Sequence, residues 1–438
     1  MGRVKRLSQQ TASALPLTKP QVRLLLFSLD LRSVHVRNKI SRGEHYRHEN
    51  HADNSVKRES VKLSFLKQER AVLNTLLPGL DDKLAKLSLS ETERPGNPSI
   101  AMFRESGGVR LMIPAAYDGL GVSALQAVRI HRAIGSRSPS LAIATTMHHF
   151  CVVSLVETAA LGTGAESLLL EAISGQNLYL ASGFAEGKTG QNILSSSIQI
   201  KRTPAGLVLN GSKKPCSLSA SMALFTVSLC VPPGGDGEPS GFAVAIVPAD
   251  ADGVERRPFW TSSVLAGAES DEVVLRDVLV PDAFVAYLVN EAHAQAVQTR
   301  SFIWFELLIS ASYLGVASAL VERVLLAGRG TPTERTQLAI DVEGAMGALE
   351  NAARAITDGQ NDNDALARVI MARYAVQGAI DRVTLHAAEL LGGIAFLSSN
   401  DVVCLLGSAR ALAFHPPSRA SLVNNLDGYL LGKPFVMA

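Results

Sequence analysis

The sequence predicts an α+β multidomain protein, with an N-terminal α-helical domain, a middle antiparallel β-barrel domain and a C-terminal domain resembling a four-helix bundle. Three observations carry that expectation. Apolar residues recur at three- and four-residue steps from about Leu63 to Ile173, the period drops to two from about Asn177 to Val285, and the helical period resumes at Thr299 and runs nearly to the end. The implied boundaries are 61–175, 176–290 and 291–438, preceded by a basic extension over 1–60. At 438 residues the chain is long enough to bury a large core.

The extension holds 12 Lys+Arg against 5 Asp+Glu, so it is strongly cationic while the remainder is acidic. It reads as a disordered segment, with a mitochondrial transit peptide as the alternative. A cytoplasmic location follows from the first reading and the mitochondrial matrix from the second. FLKQERAVLNTLLPGL and LQAVRIHRAIG then give amphipathic helices, separated by a turn in which Pro114, Gly119 and Gly121 punctuate the chain. NLYLASGF, SSIQIKR, GLVLNG, ALFTVSLCV, GFAVAIVP and DEVVLRDVLVP are six short strands with no helix between them.

Phe302 to Val321 approaches membrane-spanning length, but it contains Glu306, Ser310 and Ser312, which makes it a core helix. Its apolar circumference is too broad for one bundle to cover, which predicts a homodimer or homotetramer. Val369, Val376, Ile380, Val383, Ala387 and Leu390 form the seam of a later bundle helix.

With 42 Lys+Arg against 40 Asp+Glu, the charge balance gives no reason to expect nucleic acid as a partner. Cys151, Cys216, Cys230 and Cys404 are scattered, so neither a disulfide framework nor a zinc ribbon is indicated, and no metal site is expected. No P-loop, H-E-x-x-H or dinucleotide fingerprint occurs. His148 and His149 point about 100° apart on a helix and read as a core-edge pair.

Several short segments resemble motifs of the acyl-CoA dehydrogenase family over roughly Leu63 to the C-terminus. IPAAYDGLG is similar to I-P-x-x-x-G-G-x-G, with Asp118 in place of the first Gly. Phe184 to Ile193, FAEGKTGQNI, occupies the place of T-E-P-G-A-G-S-D, so that Ala185, Gln191 and Asn192 stand for its Thr, Ser and Asp. Pro215-Cys216-Ser217 stands for W-[IF]-[ST]. ELLGGIAF, from Glu389, looks like Q-[IVL]-x-G-G-x-G-[FY] with Gly392 and Gly393 as its paired glycines. RGTPTERTQ resembles a shortened R-x-x-F-G…Q element, with Arg329 and Gln337 in its key positions and Arg335 as a rival to Arg329.

The resemblance implies FAD as cofactor. Phe184, Ala185, Gln191, Asn192, Cys216 and Ser217 would then lie near the flavin ring, and Arg329, Gln337, Glu389, Gly392 and Gly393 near its dinucleotide part. It also implies dehydrogenation of an acyl thioester, carried on coenzyme A or a carrier protein, with electrons passing to an acceptor.

That reaction needs a base, usually a Glu, yet the expected positions hold Pro416 and Phe305. Their neighbours His415 and Glu306 are the candidate catalytic groups. The alternative is the set of flavin monooxygenases sharing this fold, which use a small-molecule substrate and a flavin reductase and need no such base. A catalytically degenerate homologue is a third reading. The bland account of HPPS is a helix connector in which Ser418 caps the next helix.

Overall fold

The computed structural model describes residues 63–160, 165–188, 195–235, 238–288 and 291–437. The basic extension, Gln191 and Asn192 lie outside the described residues. The first helices are α1 (Lys67–Leu76), α2 (Leu80–Ala85), α3 (Leu89–Thr92), α4 (Ser99–Glu105), α5 (Ala124–Arg137), α6 (Pro139–Ala159) and α7 (Ala165–Gln176). Local signals set their starts. Ser123 and Gln126 form a capping box at α5, and the Ser138 hydroxyl caps α6 with Pro139 in the first turn. Between α4 and α5, Asp118 adopts φ 58°, a left-handed conformation that Asp tolerates, and Gly119 passes so close to Ile113 that a Cβ would strike its carbonyl.

Eight strands follow: β1 (Leu180–Gly183), β2 (Gln199–Thr203), β3 (Gly206–Cys216), β4 (Leu224–Val231), β5 (Gly241–Pro248), β6 (Val254–Arg257), β7 (Asp271–Val280) and β8 (Val285–Tyr287). They include all six strands expected from the period-two pattern. The expected antiparallel barrel is not what they build. Among the described residues there are two four-stranded sheets, ordered β1-β4-β5-β8 and β2-β3-β7-β6. β1 pairs parallel with β4, Leu180 opposite Leu224, while the other pairs are antiparallel. Alternation along each strand shows that one face is buried, but it carries no information about which strand lies beside which.

The C-terminal helices are α8 (Glu291–Leu326), α9 (Pro332–Thr357), α10 (Asn363–Ser398), α11 (Asn400–Arg410) and α12 (Arg419–Leu430). α8 is the hub. It packs against α5, α6, α9 and α10, and its residues from Ile303 to Val324 are almost all buried. Gly135 on α5 and Gly315 on α8 let the two backbones nearly touch, since a Cβ on either would strike the other helix. Each fully buried Leu or Ile on α8 stabilises the fold by ~1.5–3 kcal/mol. α8 and α6 are both long and apolar enough to cross a membrane, but both are mostly buried inside the protein.

The expectation that α8 needs a second copy to cover it is thereby corrected: this chain covers it alone. Exposed apolar side chains include Ile394, Phe396 and Leu397 at the end of α10. Along α10 the predicted seam is buried from Val369 to Ala387, with Leu390 half-buried. Gly392 (φ 84°, ψ 165°) then breaks the helix.

Candidate active site

The end of β1 runs into Phe184 and Ala185, and the Ala185 carbonyl accepts from the Lys214 amide at 2.8 Å. This bond lays Ala185 alongside the end of β3, so the two sequence-predicted ring-holding segments form one ledge. Beneath it, the buried Lys213 ammonium donates to Glu186 at 2.8 Å and to the Ser196 and Ser228 hydroxyls at 3.0 Å. Glu186 also accepts from the amide and hydroxyl of Ser197, at 2.7 and 2.6 Å. Burial pulls the Lys213 pKa down and Glu186 pulls it back, the usual compromise for a charge kept in the interior only by its partners. Glu186 lies within FAEGKTGQNI, but its role as anchor depends on Lys213, 27 residues away, which nothing local announces.

Ser217 is half-buried and shares a 3.0 Å hydrogen bond with the Ser270 hydroxyl. Cys216 is fully buried, and burial raises its thiol far above the ordinary range, so it presents no thiolate. Phe184 stands 5.6 Å, centroid to centroid, from Phe150 of α6. The ledge suits a flavin ring in chemical kind: a half-exposed neutral hydroxyl and backbone groups beside an aromatic wall, with the charged pair withdrawn below.

Next to it opens a cavity of about 900 Å³, counting its mouth, between α6, α7, the first sheet and the start of α8. Its walls are mainly apolar and include Phe150, Leu155, Leu169, Phe184, Val244 and Phe302. Phe150 also contacts Phe305 at 5.4 Å, and Phe305 lies 6.5 Å from the His415 ring. Aromatic side chains thus connect the cavity to the His-Pro-Pro-Ser segment.

At that segment the two candidate catalytic residues meet through a third residue. Arg373 of α10, itself buried, donates from Nη1 to Glu306 at 2.7 Å and from Nη2 to the carbonyls of His415 and Leu412 at 2.6 and 3.2 Å. Glu306 is sealed from solvent, and its Oε1 has no partner among the described residues. Desolvation raises its pKa to about 7, against the opposing charge of Arg373. His415 Nε2 lies 2.8 Å from the Tyr313 hydroxyl of α8. Although partly exposed, the imidazole is closely surrounded by protein, and desolvation, helped by Arg373, lowers its pKa to about 3, leaving it neutral at neutral pH. The connector reading of HPPS also has its counterpart, because the Ser418 hydroxyl accepts from the Ser421 amide and caps α12.

The remaining predicted residues lie together at one end of the helical domain. Arg329, Gln337, Glu389 and Gly393 are exposed and Gly392 is half-buried, with Leu390 packed over Gly330. Arg335 is occupied locally, donating to the Gly330 carbonyl at 2.5 Å at the end of α8.

Sequence reading missed Tyr313 and Arg373. Arg373 had a signal, since it is four residues after Val369 and three before Val376, a cation on an apolar seam. It also missed His131. His148 and His149 are in the deep core, and His131 Nε2 joins His149 Nδ1 at 2.9 Å in a network closed by Ser312, Thr146 and the Gly108 carbonyl.

No protein-family model matches the chain. The chain is 42% identical to an isobutylamine N-hydroxylase of Streptomyces viridifaciens over 370 residues, 83% of this chain and 97% of that one. Among solved structures it is similar to FMN-bound TdsC of Paenibacillus sp. A11-2, with TM-score 0.71 and 19% identity over 84% of this chain and 98% of the other. The prolyl acyl carrier protein oxidase AnaB gives TM-score 0.71 and 18% identity over 84% and 99%. At such identities the structural likeness speaks for the fold alone.

Proposed function

Because the chain belongs to the acyl-CoA dehydrogenase family, with the flavin-dependent monooxygenases that share its fold, and is a flavoprotein oxidoreductase, we propose that it is a monooxygenase that hydroxylates the nitrogen of a small aliphatic amine. The observation that carries this reading is the state of the two candidate bases. Glu306 is tied to Arg373 in the core, and the Nε2 of His415 is occupied by Tyr313. Dehydrogenation, the leading expectation from sequence, requires a free base beside the substrate, and the monooxygenase alternative does not. The 42% identity to an amine N-hydroxylase supports the same choice.

When bound, the reduced flavin supplies two electrons for dioxygen, one oxygen atom going to the amine nitrogen and the other to water. The protein residues have simpler tasks. The ledge of Phe184, Ala185, Cys216 and Ser217 would hold the ring. The apolar walls of the cavity take the alkyl group. Phe150, Phe302 and Phe305 exclude water from the reacting end.

FAD is the proposed flavin: the family resemblance assigns Arg329, Gln337, Glu389, Gly392 and Gly393 to its dinucleotide part, and all five are exposed or half-buried, open to such a ligand. The reduced flavin would come from a separate reductase. Incubating the protein with isobutylamine, a flavin reductase, NADH and air, and assaying N-isobutylhydroxylamine, tests the reading. Oxidation of an acyl thioester in air without a reductase would replace it.

A further inference from the structure

We propose that Tyr313 and Arg373 are positioning residues that fix His415 in the tautomer carrying its proton on Nδ1, so that Nδ1–H is the hydrogen-bond donor offered to the ligand. The tautomer follows from this chain's own contacts. Only the use of that donor in oxygen transfer rests on the monooxygenase reading above.

Tyr313 is fully buried on α8, and burial raises its pKa well above the ordinary value, so the phenol keeps its proton. That proton needs an acceptor. The one hydrogen bond of the hydroxyl among the described residues is to His415 Nε2, at 2.8 Å. If Nε2 carried a proton and donated to the phenol oxygen, the phenol O–H would be left buried with nothing to receive it. An unmade buried donor is the costlier error. Nε2 is therefore the acceptor, and the single proton of the neutral ring sits on Nδ1.

Arg373 completes the arrangement from the backbone side. Its Nη2 donates to the carbonyls of Leu412 and His415, which sets where the imidazole leaves the chain, and Glu306 holds the guanidinium for that task. The same positive charge opposes formation of an imidazolium. The ring stays neutral, and Nδ1 makes no hydrogen bond within the described residues. His415 so placed is a fixed donor and not a base. This gives a physical reason for a histidine here in a chain whose usual base position is Pro416. No proton need leave the ring.

The test is nitrogen NMR of protein labelled with ¹⁵N-histidine, with the His415 signals identified by their loss in His415→Gln. The wild type should give a protonated Nδ1 and a pyridine-type Nε2 throughout pH 6–8, and Tyr313→Phe should revert to the Nε2–H form or an average of the two. A wild-type Nε2–H tautomer, or a Tyr313→Phe spectrum unchanged from wild type, overturns the proposal. If Tyr313→Phe does not fold, the wild-type spectrum alone decides.

In coupled assays with isobutylamine, Tyr313→Phe should lower hydroxylamine formed per reduced flavin by about 10²-fold, toward the lower end of what a positioned proton-bearing group contributes, with hydrogen peroxide rising and flavin affinity little changed. Unchanged coupling would overturn the role of the donor. An Nδ1–H wild type that hydroxylates no amine would leave the tautomer standing and sink the functional reading instead.

Discussion

Arg373 and Glu306 meet at 2.7 Å with neither side chain in contact with solvent. Removing one charge of such a pair leaves the other buried and uncompensated, which costs ~3–5 kcal/mol. Glu306→Gln keeps an acceptor for Arg373 and should destabilise by about 3 kcal/mol, the lower end of that range. Adding Arg373→Met should recover part of the loss. Hydroxylation per folded, flavin-loaded Glu306→Gln molecule should stay within a few-fold of wild type. A fall of ~10²–10⁴ with stability unchanged would instead identify Glu306 as a base.

Acid should destabilise the fold in a defined window. Burial holds His131 at about 3, His148 at about 4, His149 well below its ordinary value and His415 at about 3, all depressed from 6.5. A depressed pKa gives stability that is present above the unfolded value and lost as pH falls from about 6.5 toward the folded values. Glu306 has the opposite sign: raised from 4.5 to about 7, its contribution is full below 4.5 and lost as pH rises through 7. Burial raises Glu93 and Glu269 as well, so four imidazoles stand against three carboxyls and unfolding near pH 5.5 should take up roughly one to three protons net. Calorimetry in buffers of different ionisation enthalpy measures that number, and proton release would contradict it.

How much of this was legible depended on how local each signal is. The helical seam from Val369 to Ala387 and the strand β4, LFTVSLCV, are set by neighbours along the chain, so their periodicity is written in the sequence. The pairing of Leu180 with Leu224 depends on strands separated by 44 residues, and alternation is silent about it. The HPPS segment was visible as a connector because Ser418 caps its own helix. Its ties to Tyr313 and Arg373 span 102 and 42 residues, and nothing near His415 announces them. The break at Gly392 is intermediate: the glycine pair marked a special backbone, but not which glycine would turn.

The dinucleotide half of the proposed FAD can be tested separately from its ring. Arg329 is exposed beside Gly330, where Leu390 of the glycine-pair segment packs. A charge-assisted hydrogen bond to phosphate is worth ~1.5–3 kcal/mol, or roughly ten- to a hundredfold in affinity. Arg329→Ala should weaken FAD by that factor and leave FMN, titrated in parallel, little changed. Equal affinity of the wild type for both flavins, with no effect of the variant, would assign FMN.

Ile394 and Leu397 are 78% and 81% exposed just beyond Gly392, close in sequence to the proposed phosphate-binding glycines. A second copy of the chain is the proposed cover, which would bring its own flavin near Arg329. Light scattering should give a multiple of the 46.5 kDa chain mass, and Ile394→Glu with Leu397→Glu should reduce it to one chain and weaken FAD binding together. A wild-type monomer with FAD bound would contradict this.

The measurement that tests the central claim most directly follows the oxygen. Protein, isobutylamine, reduced flavin and ¹⁸O₂ should yield a hydroxylamine carrying one ¹⁸O atom from dioxygen, with no reduction of the flavin by acyl thioesters under anaerobic conditions. Unlabelled or absent hydroxylamine, together with anaerobic bleaching of the flavin by an acyl thioester and formation of its α,β-unsaturated product, would contradict the account and make the chain a dehydrogenase.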